Sequence, residues 1–464
     1  MMESYDLAVI GSGPGGCAAA LTAARRGLRV ALIEREQWGG VCLNVGCIPT
    51  KALLSVSSLL RRIRQAERMG LKVRGCEVDY PTVLARNRHI VESLRRGLTD
   101  LLRRERVELM TGTASFESSR RMLVGGEGTS RAIDVQRVVL ATGARPQAGP
   151  WTFDEDRILS YRGLLGLSSL PHSLLVIGGG VIGCEFASLL AAFGTSVTVV
   201  EQQAQLLPME DPEAVRWLTR RFQSDGIAVK TDATVSRLIQ SSNGIAATLS
   251  DGTEVKAERC LVAIGQRPQL DSLQLPAAGV AFGRGITVNA ALQTSQPHIA
   301  AIGDCVEGHG LAHWASAEGR VAVQNLLGDV PERVDPAEVP RVIFTDPEIA
   351  HIGVLASQAE GSRAVRFSFG ALGKSVCDDE TEGFVKLVVD PATEQLRGAT
   401  IVGAHASSLI HVAALAIHHG LTAKQVARTI TAHPTLPEAV TEAAASFYGE
   451  SLYAASRPSA RSPA

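Results

Sequence analysis

The sequence has no excess of charge of either sign. Its 464 residues include 46 lysines and arginines against 47 aspartates and glutamates, so the formal net charge is -1. Such a balance provides no electrostatic attraction for nucleic acid or an anionic membrane, and we expect neither as a partner. Hydrophobic residues make up 45% and charged residues 20%, which indicates a folded globular protein. A chain of this length is predicted to form about three domains.

A secretion signal and a membrane span are also missing from the pattern. The first six residues are polar, and residues 7–10 run directly into a glycine-rich loop. The most apolar stretch, residues 174–200, has Glu185 near its middle and a cluster of glycines, which favours a buried strand, turn and helix. We therefore expect a cytoplasmic protein.

Eight cysteines are present without a disulfide framework, and only Cys42 and Cys47 lie close together, in GGVCLNVGCIPTK (39–51). Zinc would need a second pair or nearby histidines, so no metal is predicted. A structural disulfide is not expected in a reducing compartment, while two inert buried thiols are an alternative. Pro49 suits the first turn of a helix, which places Cys47 near a helix N-terminus, where the dipole and Lys51 favour a thiolate. This segment is interpreted as redox-active.

What the sequence does contain is a repeated nucleotide-binding pattern. LAVI-GSGPGG (7–16) is followed by an Ala-rich run and VALIE (30–34), and LLVI-GGGVIG (174–183) by a second Ala-rich run and VTVVE (197–201). Each is a strand, a G-x-G-x-x-G loop, a helix, a strand and an acidic residue, Glu34 or Glu201. Because the full βαβ context occurs twice, we predict two dinucleotide sites.

The loop glycines have distinct roles in this prediction. In each loop, the first allows a tight turn, the second lets a pyrophosphate approach the helix N-terminus, and the third permits close packing of helix and strand. These glycines are Gly11, Gly13 and Gly16 in the first loop, and Gly178, Gly180 and Gly183 in the second.

The acidic residues indicate which dinucleotide binds where. Glu34 and Glu201 are expected to accept hydrogen bonds from ribose hydroxyls. Glu201 would repel a 2′-phosphate, and residues 202–205 contain no arginine to neutralise one, which favours NAD over NADP. The cysteine segment begins shortly after Glu34, and thiols have a use beside a flavin but none beside a nicotinamide. We therefore predict FAD at the first loop and NAD at the second.

Two further motifs follow buried strands. ATGARP (141–146) and AIGQRP (263–268) are either ordinary strand-turn units or equivalent positions in two related domains, with Gly143 at FAD and Gly265 at NAD. Asp304 ends the apolar run 299–303, where a carboxylate can hold a cofactor hydroxyl. The alternative for Asp304 is a helix cap.

The pattern changes after about residue 340. Residues 385–390 and 398–403 are predicted to form antiparallel strands, and residues 407–419 and 423–430 amphipathic helices, which indicates an α+β domain. The predicted fold class is α/β, with two Rossmann-like dinucleotide-binding domains, for FAD and NAD, and a C-terminal α+β dimerisation domain. The predicted boundaries are 1–150 for FAD, 151–272 for NAD, 273–343 for a central segment completing the FAD region, 344–456 for the dimer interface and 457–464 for a disordered tail.

His433 lies in HPTLPE (433–438), where Pro434 and Pro437 stiffen the loop. Glu438 could orient one imidazole nitrogen and raise the basicity of the other. The alternative is a plain surface histidine.

In this order, these motifs resemble the two-cysteine flavoprotein disulfide reductases, and among them the dihydrolipoamide dehydrogenases. The resemblance runs from about residue 5 to 447. It also rests on AIGD (301–304), the LAH to AEG stretch (311–319), which includes Ala312 in the FAD region, and VIFTDPE (342–348).

The resemblance implies a role for each site residue. Cys42 would be the thiol that exchanges with the substrate, and Cys47 the thiolate that contacts the flavin. Lys51 and Glu185 would pair near the reactive edge of the isoalloxazine. His433 and Glu438 would form the acid-base pair that serves the disulfide of the other subunit, so a homodimer is part of the mechanism.

The implied reaction is oxidation of dihydrolipoamide by NAD+. The lipoyl group would be carried by an acyltransferase or by a glycine cleavage H-type protein. Glu201 argues against the NADP-dependent glutathione and trypanothione reductases, and a tail without cysteines argues against mercuric reductases. Thr431, Pro437 and the Ser407/Ser408 pair depart from the family pattern. Two alternatives remain. One is an NADH-dependent, FAD-containing reductase that acts on another small disulfide or on a quinone, and the other is a flavin-bound scaffold without activity.

Overall fold

The computed structural model describes residues 3–126, 129–308 and 310–453; the predicted tail at 457–464 lies outside these ranges. Internal contacts divide the chain into two units. The first contains residues 3–59, Ile63–Leu170 and Val262–Val334. The second contains Leu60–Arg62, Pro171–Leu261 and residues 335–453. The predicted domain boundaries are not tested by this division and stay a prediction.

Helices and strands are numbered in chain order over the described residues. The helices are α1 Pro14–Arg25, α2 Gly40–Val45, α3 Cys47–Gln65, α4 Tyr80–Arg104, α5 Tyr161–Gly166, α6 Val181–Ala192, α7 Pro212–Ser224, α8 Leu275–Ala278, α9 Ala312–Leu327, α10 Gly373–Cys377, α11 Ala406–His418, α12 Ala423–Ala427 and α13 Glu438–Ser446. The strands are β1 Glu3–Ile10, β2 Val30–Glu34, β3 Glu108–Thr111, β4 Thr113–Ser118, β5 Arg121–Gly126, β6 Thr129–Leu140, β7 Ala144–Pro146, β8 Ile158–Leu159, β9 Ser173–Ile177, β10 Ser196–Val200, β11 Ala228–Lys230, β12 Val235–Ser241, β13 Gly244–Leu249, β14 Glu254–Ala257, β15 Arg259–Val262, β16 Gln266–Pro268, β17 Ile299–Ala301, β18 Arg341–Ile343, β19 Glu348–Gly353, β20 Arg363–Ser368, β21 Phe384–Val389 and β22 Leu396–Gly403.

The first unit is built on a parallel sheet in the order β3-β2-β1-β6-β17. The first half of the long strand β6 also pairs with β5 in an antiparallel meander, β4-β5-β6. The apolar run at the end of β1, LAVI, is buried as a block without alternation. This is expected of a strand covered on both faces, because crossover helices pack on each side of a parallel sheet.

Helices α1 and α9 of the first unit pack closely because glycines line their contact. A Cβ at Gly319 would overlap the carbonyl oxygen of Gly15, and a Cβ at Gly15 would come within 2.9 Å of the carbonyl oxygen of Ala315. Small residues therefore let the two helices, both of which begin at the same end of the sheet's strands β1 and β17, lie against each other.

The second unit combines a parallel and an antiparallel region. Strands β9, β10 and β11 are parallel neighbours, and α6 follows β9. Strands β12-β13-β14 form an antiparallel meander, and a five-stranded antiparallel sheet has the order β18-β19-β22-β21-β20. Helices α11, α12 and α13 share a buried apolar cluster with this last sheet. The predicted α+β arrangement is confirmed.

Two sequence predictions on local structure have different outcomes. The apolar stretch at 174–200 forms β9, α6 and β10, as predicted. The helix predicted at 423–430 ends at Ala427. The apolar side chain of Ile430 suggested a longer buried face, but that residue is 98% exposed, so nothing extends the helix beyond the single turn that Thr422 and Gln425 cap.

One helical stretch, Gly40–Met69, is long and apolar enough to cross a membrane by length and composition alone. It joins α2, α3 and the turn that follows, with a break at Gly46. Such a match is weak evidence, because the core helices of globular proteins pass the same test.

Candidate active site: the dinucleotide loops and the redox segment

The first loop has a backbone that only glycine can adopt. Gly11 has a φ of +99°, and a side chain there would strike the carbonyl of Ala141. A Cβ at Gly16 would overlap the carbonyl oxygen of Gly11. Gly13 caps α1 without a side-chain hydrogen bond, and the space beside it is open for 4 Å. The loop therefore fits an anionic group held at the helix N-terminus.

The carboxylate of Glu34 is oriented by the loop. Its Oε2 accepts from the amide and the hydroxyl of Ser12, at 2.9 and 2.8 Å, and its Oε1 accepts from the amide of Glu36 at 2.9 Å. A carboxylate can accept about four hydrogen bonds, so one position is left for a ribose hydroxyl. The predicted role of Glu34 fits this geometry.

The second loop has the same backbone conformation and the same amide contacts to its carboxylate as the first. Gly178 has a φ of +105°, a Cβ at Gly183 would overlap the carbonyl oxygen of Gly178, and the space beside Gly180 is open. Glu201 accepts from the amides of Gly179 and Gln203, at 2.7 and 2.8 Å. The internal repeat in the sequence is therefore a repeat in structure.

The two A-x-G-x-R-P segments pair with each other. Strands β7 and β16 are antiparallel, with Arg145 opposite Arg267. Each glycine carbonyl accepts from the other segment, since Gln269 donates to Gly143 at 2.9 Å and Gln147 donates to Gly265 at 3.0 Å. Sequence reasoning assigned them to separate domains and did not predict this pairing. Both segments lie in the first unit, and the placement of Gly143 at FAD and Gly265 at NAD stays a prediction.

Asp304 lies in a short 3-10 turn, Gly303–Cys305, after β17. Helix α9 begins at Ala312, and Leu311 occupies its N-cap position without a side-chain hydrogen bond, so the alternative that Asp304 caps a helix is wrong. Burial raises the pKa of Asp304. Glu318 accepts from the amide of Gly303 at 2.7 Å, and burial together with the charge of Asp304 raises its pKa too. These groups lie close to the uncapped N-terminus of α9.

The redox segment crosses from α2 to α3. Cys42 lies in α2, Cys47 is the first residue of α3, and the two form a disulfide with their Cα atoms 4.6 Å apart. Pro49 lies in the first turn of α3, as predicted. The alternative of two inert thiols is wrong, because the sulfurs are bonded to each other. Within residues 3–126, 129–308 and 310–453, no cluster of histidine, cysteine and acidic residues could hold a metal ion.

Lys51 and Glu185 lie in different units. Lys51 is one turn beyond Cys47 on α3 and is partly buried. Glu185 is buried in α6, where its Oε1 accepts from the amide of Phe344 at 3.0 Å. Their pairing stays a prediction.

The histidine near the C-terminus has the partner that the sequence predicted. Nδ1 of His433 lies 2.9 Å from Oε2 of Glu438, whose Oε1 accepts from the amide of Thr435 at 2.5 Å. Burial on its own raises the pKa of Glu438, but the hydrogen bonds from His433 and Thr435 outweigh it, so the pKa is lowered from 4.5. The imidazole is 66% exposed, which leaves Nε2 available to a substrate.

Comparison with known proteins identifies the family. Residues 5–319 match the model of the pyridine nucleotide-disulphide oxidoreductases, and residues 339–444 match that of their dimerisation domain. The chain belongs to the pyridine nucleotide-disulphide oxidoreductase family.

Relatives and solved structures of this family cover nearly the whole chain. A dihydrolipoyl dehydrogenase of Chlamydia pneumoniae is 40% identical over 450 residues, covering 96% of this chain and 97% of the relative. One of Bacillus subtilis is 38% identical, covering 97% and 100%. The crystal structure of LpdA from Mycobacterium tuberculosis has a TM-score of 0.89 at 28% identity, covering 96% and 99%. The HOCl-induced flavoprotein disulfide reductase RclA of Escherichia coli has a TM-score of 0.86 at 26% identity, covering 95% and 99%.

The comparisons confirm several predictions from the sequence. The fold class, the oxidoreductase class and the use of FAD and NAD are those of the family. The dimerisation domain supports a homodimer. The assignment of individual residues to roles is not tested by them and stays a prediction.

Sequence reasoning missed several residues that shape the site. Ser12 and Glu36 donate to Glu34, Glu318 holds Gly303, and Asn44 donates to the carbonyls of Trp38 and Gly40, both at 2.9 Å. One of them had a visible signal, because Ser12 stands where the second loop has glycine. The others depend on contacts that a linear pattern does not reveal.

Proposed function

We propose that the protein oxidises dihydrolipoamide to lipoamide and reduces NAD+ to NADH. The observation that carries the proposal is the Cys42–Cys47 disulfide at the start of α3, in a segment that lies against the first dinucleotide loop. Relatives of 38 to 40% identity that cover almost the whole chain are named dihydrolipoyl dehydrogenases. The lipoyl group would come from the lipoyl domain of an acyltransferase, or from a glycine cleavage H-type protein.

The residues present fit FAD at the first loop. The open N-terminus of α1 suits a pyrophosphate, and Glu34 has an acceptor position left for a ribose hydroxyl. When bound, FAD takes two electrons from the reduced disulfide pair and gives them to NAD+ as a hydride. The second loop, with Glu201 and no arginine in the four residues after it, suits NAD+.

The chain's own residues would carry out the thiol chemistry. His433 of the partner subunit takes the proton of one substrate thiol, and the resulting thiolate attacks Cys42. The disulfide breaks, a mixed disulfide forms, and Cys47 leaves as a thiolate. The second substrate thiol then attacks the sulfur joined to Cys42. Its proton passes to the leaving Cys42 sulfur, and lipoamide departs.

Glu438 and the helix N-terminus support these steps. The carboxylate of Glu438 holds Nδ1–H of His433, so that Nε2 is the base, and it stabilises the imidazolium that forms. Cys47 begins α3, where the helix dipole and nearby Lys51 stabilise its thiolate as the leaving group. A site shared between subunits is part of the proposal, and it explains why a base would be two-thirds exposed in the single chain.

A steady-state assay tests the proposal. Purified protein with dihydrolipoamide should reduce NAD+ far better than NADP+, and its visible spectrum should show bound flavin. Cys47→Ser should abolish NADH formation from dihydrolipoamide, while some reduction of artificial acceptors by NADH survives. Full lipoamide activity in that variant would disprove the assignment.

A second candidate is an NADH-dependent reductase of another small disulfide or a quinone. The likeness to RclA, a flavoprotein disulfide reductase at 26% identity, favours it, and so do the departures at Thr431, Pro437 and Ser407/Ser408. Comparing lipoamide with glutathione disulfide and quinones, under NADH, separates the two. A scaffold without activity would instead bind an acyltransferase equally well after loss of both cysteines.

A cytoplasmic location is part of the same proposal. The described residues include six further cysteines that form no disulfide. A reducing compartment keeps such thiols reduced and reserves disulfide chemistry for Cys42 and Cys47.

A further inference from the structure

The two dinucleotide loops differ at their second position. In both, the amide of this residue donates to the acidic residue at the end of the next strand, Ser12 to Glu34 and Gly179 to Glu201. The second loop therefore forms its carboxylate contact without a side chain at this position. The hydroxyl of Ser12 is not needed for the loop geometry itself.

The hydroxyl of Ser12 instead joins the loop to the redox segment. Ser12 is fully buried. Its Oγ donates to Oε2 of Glu34 at 2.8 Å and accepts from the amide of Gly39 at 3.0 Å. A hydroxyl has a single proton, which here is donated in the hydrogen bond to the Glu34 carboxylate. A lone pair of Oγ therefore accepts the hydrogen bond from the Gly39 amide.

Gly39 is the residue immediately before helix α2. It caps α2, which contains Cys42, and its φ is +97°. A Cβ on the following residue, Gly40, would come within 2.7 Å of the Cα of Gly13. The start of α2 therefore lies directly on the loop, and Ser12 supplies the hydrogen bond at this contact.

The remainder of α2 is also held in place. Asn44, two residues beyond Cys42, donates from Nδ2 to the carbonyls of Trp38 and Gly40, both at 2.9 Å. The short helix and the residues that lead into it thus form one hydrogen-bonded segment. A contact that fixes Gly39 fixes the disulfide that follows it.

We infer that Ser12 is a positioning residue for the redox disulfide. Its hydroxyl ties the start of α2 to the first dinucleotide loop, so that Cys42 and Cys47 keep one position relative to a group bound in that loop. The inference rests on the proposed function for its catalytic consequence, but the tie itself is a property of the fold. The sequence is consistent with this role, because no close pair of cysteines follows the second loop, where Gly179 takes the place of Ser12.

The test uses Ser12→Ala and Ser12→Gly in the full-length holoprotein. Both keep the amide that donates to Glu34, and Gly179 demonstrates that glycine suits this backbone. Thr22→Val is the matched control, because the Thr22 hydroxyl also bonds within the first unit, to Ala18 at 2.7 Å, away from the redox segment. The readouts are the flavin-to-protein ratio, hydrogen exchange of a peptide spanning residues 36–46, and the reduction of flavin by dihydrolipoamide in a single turnover.

We expect both variants to keep their flavin and to exchange faster across residues 36–46, with flavin reduction by dihydrolipoamide slowed about tenfold. Electron transfer from NADH to ferricyanide, which bypasses the disulfide, should slow less than the reduction of flavin by dihydrolipoamide, and Thr22→Val should resemble the wild type in both. Unchanged exchange in both variants, or loss of flavin from them, would overturn the inference. If the wild type does not react with dihydrolipoamide, the proposed function fails, while the exchange experiment still decides whether Ser12 ties the segment.

Discussion

His433 and Glu438 are joined by a 2.9 Å hydrogen bond in which the imidazole is 66% exposed and the carboxylate is buried. The Glu438 carboxylate is held in place by the Thr435 amide, which donates to its Oε1 at 2.5 Å. Because it is fixed in this way, it can orient the exposed imidazole of His433. The pair therefore has a geometry that fits the acid-base role proposed for it.

Replacing this carboxylate should damage catalysis more than folding. In Glu438→Gln the charge that stabilises the imidazolium is lost, and we expect kcat with dihydrolipoamide to fall at least about tenfold while KM for NAD+ stays constant. Glu442→Gln is the control, because this carboxylate is on the same helix but bonds to Ser451 and Leu452. Equal losses in both variants would mean that the helix, and not the pair, was disturbed.

The pH dependence of the rate with dihydrolipoamide should not reflect protonation of Glu438. Its hydrogen bonds lower its pKa from 4.5, so it stays ionised down to pH values below that of an ordinary glutamate. We expect the rate with dihydrolipoamide to show no acidic step at the ordinary glutamate pKa that is present in the wild type and lost in Glu438→Gln, with Glu442→Gln as the control. Such a step, absent only from Glu438→Gln, would show that Glu438 takes up a proton in that range.

The second loop allows a contrast between two glycines that are three residues apart. Gly180 has φ -73° and open space for 4 Å, so Gly180→Ala should fold normally but weaken NAD+ binding about tenfold or more if the dinucleotide occupies that space. Gly183→Ala should instead lower the unfolding temperature, because its Cβ would overlap the carbonyl oxygen of Gly178. Binding is measured by titration calorimetry and unfolding by circular dichroism. Normal NAD+ binding by Gly180→Ala would contradict the placement of the dinucleotide.

A buried histidine should make the second unit sensitive to acid. Nε2 of His351 donates to the carbonyl of Gly353 at 2.9 Å, and Nδ1 accepts from the Thr400 hydroxyl at 3.1 Å, so the neutral ring satisfies both contacts. Burial, and then the charge of Arg341, lower the pKa of His351 to about 4. Because the unfolded chain binds this proton from about pH 6.5 downward and the folded chain does not, stability is lost as the pH falls from about 6.5 to 4. The full effect is about 3 kcal/mol.

The check is urea unfolding of the wild type and His351→Gln at pH 7 and pH 4.5. The variant should be less stable at pH 7 and should lose less stability on acidification than the wild type. His418→Gln is the control, since this histidine is exposed and bonds to Glu338 at the surface. A variant that loses as much stability as the wild type between the two pH values would rule out His351 as the source.

Some of these features could be predicted from sequence because they are local. Gly11, Gly16 and Glu34 have fixed spacing within one βαβ unit, and Pro49 marks the first turn of α3 wherever that helix packs. The pairing of the Arg145 and Arg267 segments could not be predicted, because the two lie far apart in the chain and tertiary contacts decide which strand is the neighbour. The same holds for the Glu318 contact with Gly303.

One rejected alternative, for Asp304, and one error, at the end of α12, had physical causes of the same kind. Asp304 was a reasonable cap on composition, but the helix starts eight residues later, at Ala312, without a side-chain cap. Ile430 continues an amphipathic pattern, yet its side chain is 98% exposed in the single chain. Helix propensity describes which local structures a residue favours, and tertiary packing decides which of them forms.

We propose that the two sulfurs of the redox disulfide are unequal, with Cys42 toward the substrate and Cys47 toward the flavin. The most direct measurement is reduction of the protein with one equivalent of dihydrolipoamide, brief trapping with limiting iodoacetamide, and mass spectrometry of the peptide that contains both cysteines. We predict that Cys42 is alkylated and Cys47 is protected. Preferential alkylation of Cys47, or no thiol released by dihydrolipoamide, would contradict it.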